Sequence, residues 1–317
     1  MSTSKHLVDP EILPLLDLLP GLDLSAETLA QTRIALKELV FPIPEFPNVV
    51  VSERKIMGPQ DAPDVRILLY TPKNITEAVP ALLWIHGGGY VIGTAEQSDL
   101  QLKTIVSSLN CVAVAVDYRL APETPHPGPV EDCYAALKWL HANANDLGVD
   151  SKRIAIGGDS AGGGLAAGLG LLNRDRGEVP LIYQLLIYPM LDDRTVTSAD
   201  PHPYAGEYVW RPGANRFGWA SLLGQEPGSP GVSPYASAAR AENLEGLPPT
   251  FIGVGTLDLF LEEDMEYARR LIRAGVPTEL HVYPGAFHAF PMVESAKVSQ
   301  AHNRDYLSAL GRAFHKS

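Results

Sequence analysis

Cysteine is scarce in this chain of 317 residues, which contains Cys111 and Cys133 and no others. Two cysteines cannot build the disulfide framework of a small secreted domain. Cys111 opens an apolar strand and Cys133 lies in a helical pattern, so we expect two buried free thiols. No group of cysteines and histidines has the spacing of a metal site, so we predict no bound metal.

A long uninterrupted apolar run near the start of the chain is also missing. The leucine-rich first 20 residues are broken by five residues: Asp9, Pro10, Pro14, Asp17 and Pro20. Such a segment fits neither a secretion signal nor a membrane span, and we expect a cytoplasmic protein.

Positive charge is in short supply as well. The formal net charge is −12 and the pI is near 5.2. This balance argues against nucleic acid and against anionic membrane surfaces as partners.

What the chain does contain is the alternating pattern of one large α/β domain. Two strands of a hairpin are followed by six strands that alternate with helices or longer excursions, which indicates a mostly parallel, doubly wound sheet of eight strands. We predict strands at 49–56, 65–71, 81–86, 112–117, 153–157, 182–188, 250–256 and 278–283. We predict helices near 97–109, 129–146, 161–175, 261–274 and 294–314.

Two regions stand outside this alternation. Residues 1–45 predict two short amphipathic helices, the second running from Ser25 to about Val40, which could form a dimer arm or simply pack on the domain. Residues 190–235 are rich in proline and aromatic residues, with one helix predicted at 215–223. A stretch this long without a strand is usually functional or disordered, and its aromatics argue against disorder. The catalytic core is then expected to comprise residues 46–189 and 236–317.

The strand predicted at 153–157 runs directly into Gly158-Asp159-Ser160-Ala161-Gly162, and a helix follows. Strand, sharp turn and helix, with glycine two places on either side of serine, are the features of a nucleophile elbow. The flanking glycines remove side chains that would clash with the strained turn. The pattern therefore predicts that the Ser160 hydroxyl is a nucleophile, exposed at the positive end of a helix.

A glycine-rich loop, His86-Gly87-Gly88-Gly89, follows another apolar strand upstream. Three glycines let backbone N–H groups surround one point, where they can face an oxyanion. A phosphate-binding loop of the Walker type would need Gly-Lys-Ser/Thr, which is absent. We predict that the amides of Gly88, Gly89 and Ala161 form an oxyanion hole.

The two motifs resemble those of the hormone-sensitive-lipase family of α/β-hydrolases, in its bacterial esterase branch. Three other segments match the same family: Asp117-Tyr118-Arg119-Leu120-Ala121-Pro122-Glu123, Ser233-Pro234-Tyr235-Ala236 and Gly246-Leu247-Pro248-Pro249-Thr250. The likeness runs from about residue 50 to the C-terminus. It implies an α/β-hydrolase fold in which residues 1–45 and 190–235 form a cap over the active site. It also implies that His86 braces the glycine loop, and it makes a homodimer through edge strands possible.

The other members of a catalytic triad are predicted from the hydrolase order of serine, acid and histidine. Asp258 follows the strand at 250–256, and His288 follows the strand at 278–283. The carboxyl ends of parallel strands gather the catalytic groups of open α/β sheets. Among the rival histidines, His281 is expected to pack inside its strand or to pair with a neighbour, and three are expected at the surface: His126, His302 and His315.

The acid also has rivals. Glu262, Glu263 and Asp264 fall in the helix after the loop, and this charge run is most simply a solvated helix face. The family usually has Asp-Pro-Leu-Arg-Asp-Glu here, so the missing proline and arginine put the stiffness of the loop in doubt. Asp159 is too close to the nucleophile to reach the histidine and is expected to bond to nearby loops. Three residues of the motif at 117–123 are expected to form an internal ion-pair and turn motif: Asp117, Arg119 and Glu123.

The best interpretation is a serine carboxylesterase that needs no cofactor and hydrolyses small soluble esters with short to medium acyl chains. Ser160 attacks the ester carbonyl, His288 moves the proton and Asp258 orients the imidazole. A hydrolase-fold binding protein, like the gibberellin receptors, would be expected to lack the histidine. A true interfacial lipase would favour a large exposed apolar lid. An amidase or an acyltransferase would use the same triad.

Overall fold

An eight-stranded sheet forms the centre of the computed structural model, which describes residues 4–18, 24–38 and 43–315. The strands are β1 Val49–Ile56, β2 Val65–Pro72, β3 Val79–Ile85, β4 Val112–Asp117, β5 Val149–Asp159, β6 Tyr183–Ile187, β7 Thr250–Gly255 and β8 Thr278–Tyr283. Their order in the sheet is β1-β2-β4-β3-β5-β6-β7-β8. β1 pairs with β2 and β2 with β4 in the antiparallel direction. The other neighbouring pairs, β4-β3, β3-β5, β5-β6, β6-β7 and β7-β8, are parallel. The predicted mostly parallel sheet is therefore confirmed.

Both faces of the sheet are covered, which explains why the central strands are continuous apolar runs. In β3, Leu83 and Ile85 point into one hydrophobic cluster, while Leu82 and Trp84 point into a second one. All four side chains are fully buried. The alternation follows from the two-residue period of a strand.

The helices that cover the sheet are α3 Asp99–Leu109, α4 Gly128–Ala142, α5 Ala161–Arg176, α7 Leu261–Arg273 and α8 Lys297–Phe314. Helices α4, α5 and α7 contribute to the first cluster, and α3 and α8 to the second. The sheet is thus doubly wound, as the sequence predicts. None of the helices in the described part of the chain is long and apolar enough to cross a membrane.

The remaining helices belong to the two regions outside the alternation. They are α1 Leu15–Leu18, α2 Leu29–Glu38 and α6 Pro212–Leu223. The predicted first helix is thus reduced to one turn, since Asp9 to Pro14 form turns before it. The sequence places Leu19 in the first predicted helix and Val40 at the end of the second, and both lie outside the described residues.

Candidate active site

The Ser160 turn joins β5 directly to α5. Its backbone has φ 55° and ψ −122°, a conformation that costs a non-glycine residue free energy. The turn is held in place because the Ser160 amide donates to the Ile187 carbonyl at 2.9 Å and the Ser160 carbonyl accepts from the Met190 amide at 2.9 Å. A Cβ on Gly162 would lie 2.0 Å from the Ile85 carbonyl oxygen, so only glycine fits there. The elbow predicted from the sequence is present.

Ser160, His288 and Asp258 form one hydrogen-bonded chain. Ser160 Oγ lies 2.9 Å from His288 Nε2, and His288 Nδ1 lies 2.8 Å from Asp258 Oδ2. Because an ionised carboxylate only accepts, Nδ1 is the donor to Asp258, and Nε2 is left to accept the serine proton. Asp258 Oδ1 accepts from the Phe260 amide at 3.0 Å. All three side chains are buried, with Ser160 and His288 each 5% exposed.

The glycine loop lies against the nucleophile. A Cβ on Gly87 would lie 3.2 Å from Ser160 Cβ, and a Cβ on Gly88 would lie 2.1 Å from the Ile92 carbonyl oxygen. Gly88 and Gly89 have φ of 116° and 58°, which favour glycine. Among the described hydrogen bonds, none has the Gly88, Gly89 or Ala161 amide as its donor. These three donors can therefore serve an oxyanion next to Ser160.

His86 braces the glycine loop as the family resemblance implies. Its Nδ1 lies 2.7 Å from the Gly87 carbonyl oxygen, and its ring stacks on Tyr118 with 4.3 Å between centroids. Burial lowers the pKa of His86, so the neutral ring donates through Nδ1. His281 pairs with Glu279 from inside β8, as expected.

His302 corrects the prediction that it lies at the surface. It is 1% exposed and packs among aromatic rings: Tyr188, Tyr283, Phe290 and Tyr306. Burial lowers its pKa to about 4, so the ring is neutral. The prediction was wrong because the position faces the sheet from α8, which its polar neighbours in the sequence do not reveal.

Asp159 bonds to the glycine loop, as expected, with the Gly87 amide as donor. The Asp159 side chain as a whole is half-buried. Burial of its carboxyl group raises the pKa to about 6, because it disfavours the charged form. The hydrogen bond from the Gly87 amide opposes this effect.

The charge run at the start of α7 is not a solvated face, and that prediction was wrong. Glu262 is exposed, but Glu263 is 8% exposed and Asp264 is fully buried. Glu263 accepts from the Leu191 amide at 2.6 Å and also from the Thr195 hydroxyl. Burial raises the pKa of both buried carboxyls. Glu263 thereby fixes the start of the segment after Met190, which itself bonds to Ser160.

The charged residues of the motif at 117–123 pair with distant partners and not with one another. Asp117 pairs with Arg66 at 3.2 Å, Arg119 with Asp132 at 2.6 Å and Glu123 with Arg33 at 2.6 Å. The motif thus joins separate parts of the chain around the site.

Residues of the two outlying regions contact the glycine loop or the segment that follows it. A Cβ on Gly89 would lie 2.1 Å from the indole of Trp210, whose ring centroid is 6.3 Å from that of His288. Trp210 is held by a hydrogen bond of 3.0 Å from Nε1 to Asn215 Oδ1. At the N-terminal side, Arg33 Nε donates to the Val91 carbonyl at 2.8 Å.

The chain matches the family model of the α/β hydrolase fold over residues 82–292. It belongs to the α/β-hydrolase family. Carboxylesterase NlhH of Mycobacterium tuberculosis is 34% identical over 312 residues, which cover 97% of each chain. Esterase LipI of the same organism is 33% identical and covers 90% of this chain and 88% of its own.

Solved structures agree with these relatives. A bacterial heroin esterase is 42% identical, with a TM-score of 0.93 over 99% of this chain and all of that one. Esterase LipW from Mycobacterium marinum is 30% identical, with a TM-score of 0.85 over 100% and 99% of the two chains. The resemblance to the bacterial esterases of the hormone-sensitive-lipase family is confirmed, and the protein is a serine carboxylesterase.

Proposed function

We propose that Ser160, His288 and Asp258 are the catalytic triad of this esterase. The observation that carries the proposal is the pair of hydrogen bonds, 2.9 and 2.8 Å, that joins the three side chains. His288 takes the proton from Ser160 Oγ as the hydroxyl attacks the ester carbonyl, and then passes it to the leaving alcohol. Asp258 holds the required tautomer and stabilises the imidazolium.

The developing oxyanion binds the amides of Gly88, Gly89 and Ala161. Donors fixed in advance stabilise the tetrahedral intermediate without reorganising during the reaction. Loss of the alcohol leaves an acyl group on Ser160, and a water molecule activated by His288 then releases the acid. No step of this cycle requires a cofactor.

The substrates that fit best are small esters with short to medium acyl chains. Aromatic rings surround His288: Tyr188, Trp210 and Phe260 lie 4.8 to 6.3 Å from it between centroids. Ser160 is nearly covered. We infer from these rings a narrow apolar slot, which would suit a single ester molecule better than a lipid interface.

Residues 1–45 and 190–235 are proposed to form the cap over this slot. In support, Trp210 packs on Gly89, and Arg33 bonds to the segment after the glycine loop. The two regions also contact each other, since the Ser4 amide donates to Glu207 at 2.9 Å.

The test of the nucleophile is Ser160→Ala. We expect the variant to fold and to lose about three orders of magnitude or more of its ester hydrolysis. A phosphonate should label the native protein once, at Ser160, as mapped by peptide mass spectrometry. Ser107→Ala, which removes an exposed hydroxyl bonded to Asn48, is the matched control. A fully active Ser160→Ala would refute the proposal.

Amide hydrolysis and acyl transfer proceed through the same acyl-enzyme. Adding an alcohol at increasing concentration to p-nitrophenyl ester reactions separates transfer of the acyl group to the alcohol from its transfer to water.

A panel of p-nitrophenyl esters from acetate to decanoate measures the acyl preference, and we expect the highest kcat/KM among the shorter chains.

A further inference from the structure

Arg33 on α2 reaches out of the N-terminal region into the segment that carries the glycine loop. Its Nε donates to the Val91 carbonyl at 2.8 Å, and its Nη2 donates to the Ala121 carbonyl at 2.9 Å. Both Nη atoms also bond to the carboxylate of Glu123, at 2.6 and 2.9 Å. One side chain therefore holds three separate points of the core.

The two carbonyls that Arg33 binds are tied to the glycine loop by short backbone contacts. The amides of Val91 and Ile92 both donate to the Gly88 carbonyl, at 3.1 and 3.0 Å. The Ala121 amide donates to the Tyr90 carbonyl at 2.9 Å. Because these turns are tight, a displacement at Val91 or Ala121 is passed on to Gly88 and Gly89.

The glycine loop itself also contacts the insertion. Besides the contact with Trp210, a Cβ on Gly218 of α6 would lie 2.6 Å from the Gly89 carbonyl oxygen. The insertion thus contacts the glycine loop directly, while Arg33 binds the segment that follows the loop.

We infer that Arg33 is a positioning residue for the oxyanion hole: through the Val91 and Ala121 carbonyls it makes the placement of Gly88 and Gly89 depend on the N-terminal helix. The inference rests on the proposed function of those amides. Its consequence is that loosening α2 lowers turnover, and does not merely weaken substrate binding. Small displacements of catalytic donors have large effects on rate.

The ion pair of Arg33 with Glu123 and its hydrogen bonds to the two carbonyls differ in how strongly they hold the side chain. Glu123 is 62% exposed, and exposed ion pairs contribute little. The bonds to the carbonyls are charge-assisted and partly buried. The carbonyl bonds should therefore carry the effect, and the ion pair should not.

The experiment compares Arg33→Ala, Arg33→Lys and Glu123→Gln in hydrolysis of p-nitrophenyl acetate. Arg33→Ala should lower kcat by about tenfold, with KM changed by less than about threefold, because the loss falls on the transition state. Affinity for a trifluoromethyl ketone, whose adduct places an oxyanion in the hole, should fall by the same factor as kcat/KM. Arg33→Lys should lie between Arg33→Ala and the native protein, and Glu123→Gln should stay within about twofold.

The matched control is Arg153→Ala. Arg153 also bonds to two backbone carbonyls, of Ala78 and Phe314, and to Asp150, but near the amino ends of β3 and β5, whereas Ser160 follows the carboxyl end of β5. If Arg33→Ala matches Arg153→Ala in kcat and in ketone affinity, or raises KM alone, the inference is wrong. If Arg33→Ala fails to fold, Arg33→Lys decides the question by the same two measurements.

Ser160→Ala in the same series keeps the two proposals apart. An active Ser160→Ala refutes the proposed triad, whatever the result at Arg33. An inactive Ser160→Ala with an unaffected Arg33→Ala overturns the positioning role alone.

Discussion

Hydrogen bonds engage both carboxylate oxygens of Asp258. One oxygen meets His288 Nδ1, and the other accepts the Phe260 amide. The amide fixes the carboxylate without help from the proline and arginine that the family usually has after this position. The local loop is therefore held by its own turn, although its sequence departs from the family pattern.

The change Asp258→Asn tests this residue. An amide at this position no longer favours the working tautomer of His288, so kcat should fall by roughly three to four orders of magnitude. Glu262→Gln, on the exposed face of α7, is the control and should remain near native activity. A strong loss in Glu262→Gln with a mild effect of Asp258→Asn would show that the acid has been misassigned.

Asp159 should make stability depend on pH. The pKa of its carboxyl rises from 3.8 to about 6 on folding, so the folded state binds the proton more tightly than the unfolded state. The stability that this provides is complete below pH 3.8 and is lost as pH rises to about 6. Asp159→Asn removes this pH-dependent loss and can still accept the Gly87 amide.

We therefore expect the free energy of unfolding of Asp159→Asn, relative to that of the native protein, to increase from pH 4.5 to pH 7. It should then stay level up to pH 8. Urea unfolding at a series of pH values measures the difference. Asp150→Asn is a suitable control, since the pKa of Asp150 is lowered and its contribution has the opposite sign. A difference that is flat or shrinks over this range would contradict the prediction.

At the scale of elements, the insertion directs one ring into the site. Val209, just before Trp210, has a φ of 57°, which is strained for a β-branched residue. Strain of this kind persists where the surrounding structure enforces it and often has a functional role. Here it precedes the indole that covers Gly89.

Trp210→Ala should therefore widen the slot beside the scissile carbonyl. We expect the ratio of kcat/KM for p-nitrophenyl octanoate to that for the acetate to rise by roughly tenfold. Trp139→Ala removes a partly buried indole from α4 and should leave the ratio as it is in the native protein. If the ratio for Trp210→Ala is also unchanged, Trp210 does not limit the slot.

The error at the start of α7 shows what helical spacing could have revealed. Asp264, Tyr267, Ala268 and Leu271 recur at the spacing of one helix face, and all four are buried. This period places Asp264 on the apolar face of the helix, although a charged residue is normally expected on the exposed face. Three charged residues in a row cannot share one face, because each residue turns the helix by about 100°.

At the scale of the whole molecule, the homodimer implied by the family resemblance remains a prediction. The sheet has two edges, β1 and β8. β1 carries Glu53, Arg54 and Lys55, and charged side chains oppose pairing at an edge. Both edges expose valines, but β8 carries one such charged residue, Glu279, so it is the better edge for a second copy.

Light scattering should then give the mass of two chains. Val282→Lys should reduce this to one chain without changing kcat/KM, because a charge at the edge opposes strand pairing. Val50→Lys, at an exposed apolar position of β1, should leave the dimer intact. A native protein with the mass of one chain would contradict the prediction.

The sequence by itself determined the sheet and the Ser160 elbow, and it predicted that Asp258 and His288 follow neighbouring strands at the edge where Ser160 lies. This was possible because strand and turn patterns are local and the carboxyl ends of parallel strands meet at one edge. The order of the strands in the sheet was not available, since it depends on how the connections cross.

Only the tertiary structure decided the partners of the buried and bridging polar groups. Arg33 meets Glu123 across 90 positions, and Glu263 meets Leu191 across 72. It also decided that His302 is buried. Local spacing fixes which face of a helix or strand a side chain occupies, but what covers that face depends on distant segments that come together only on folding.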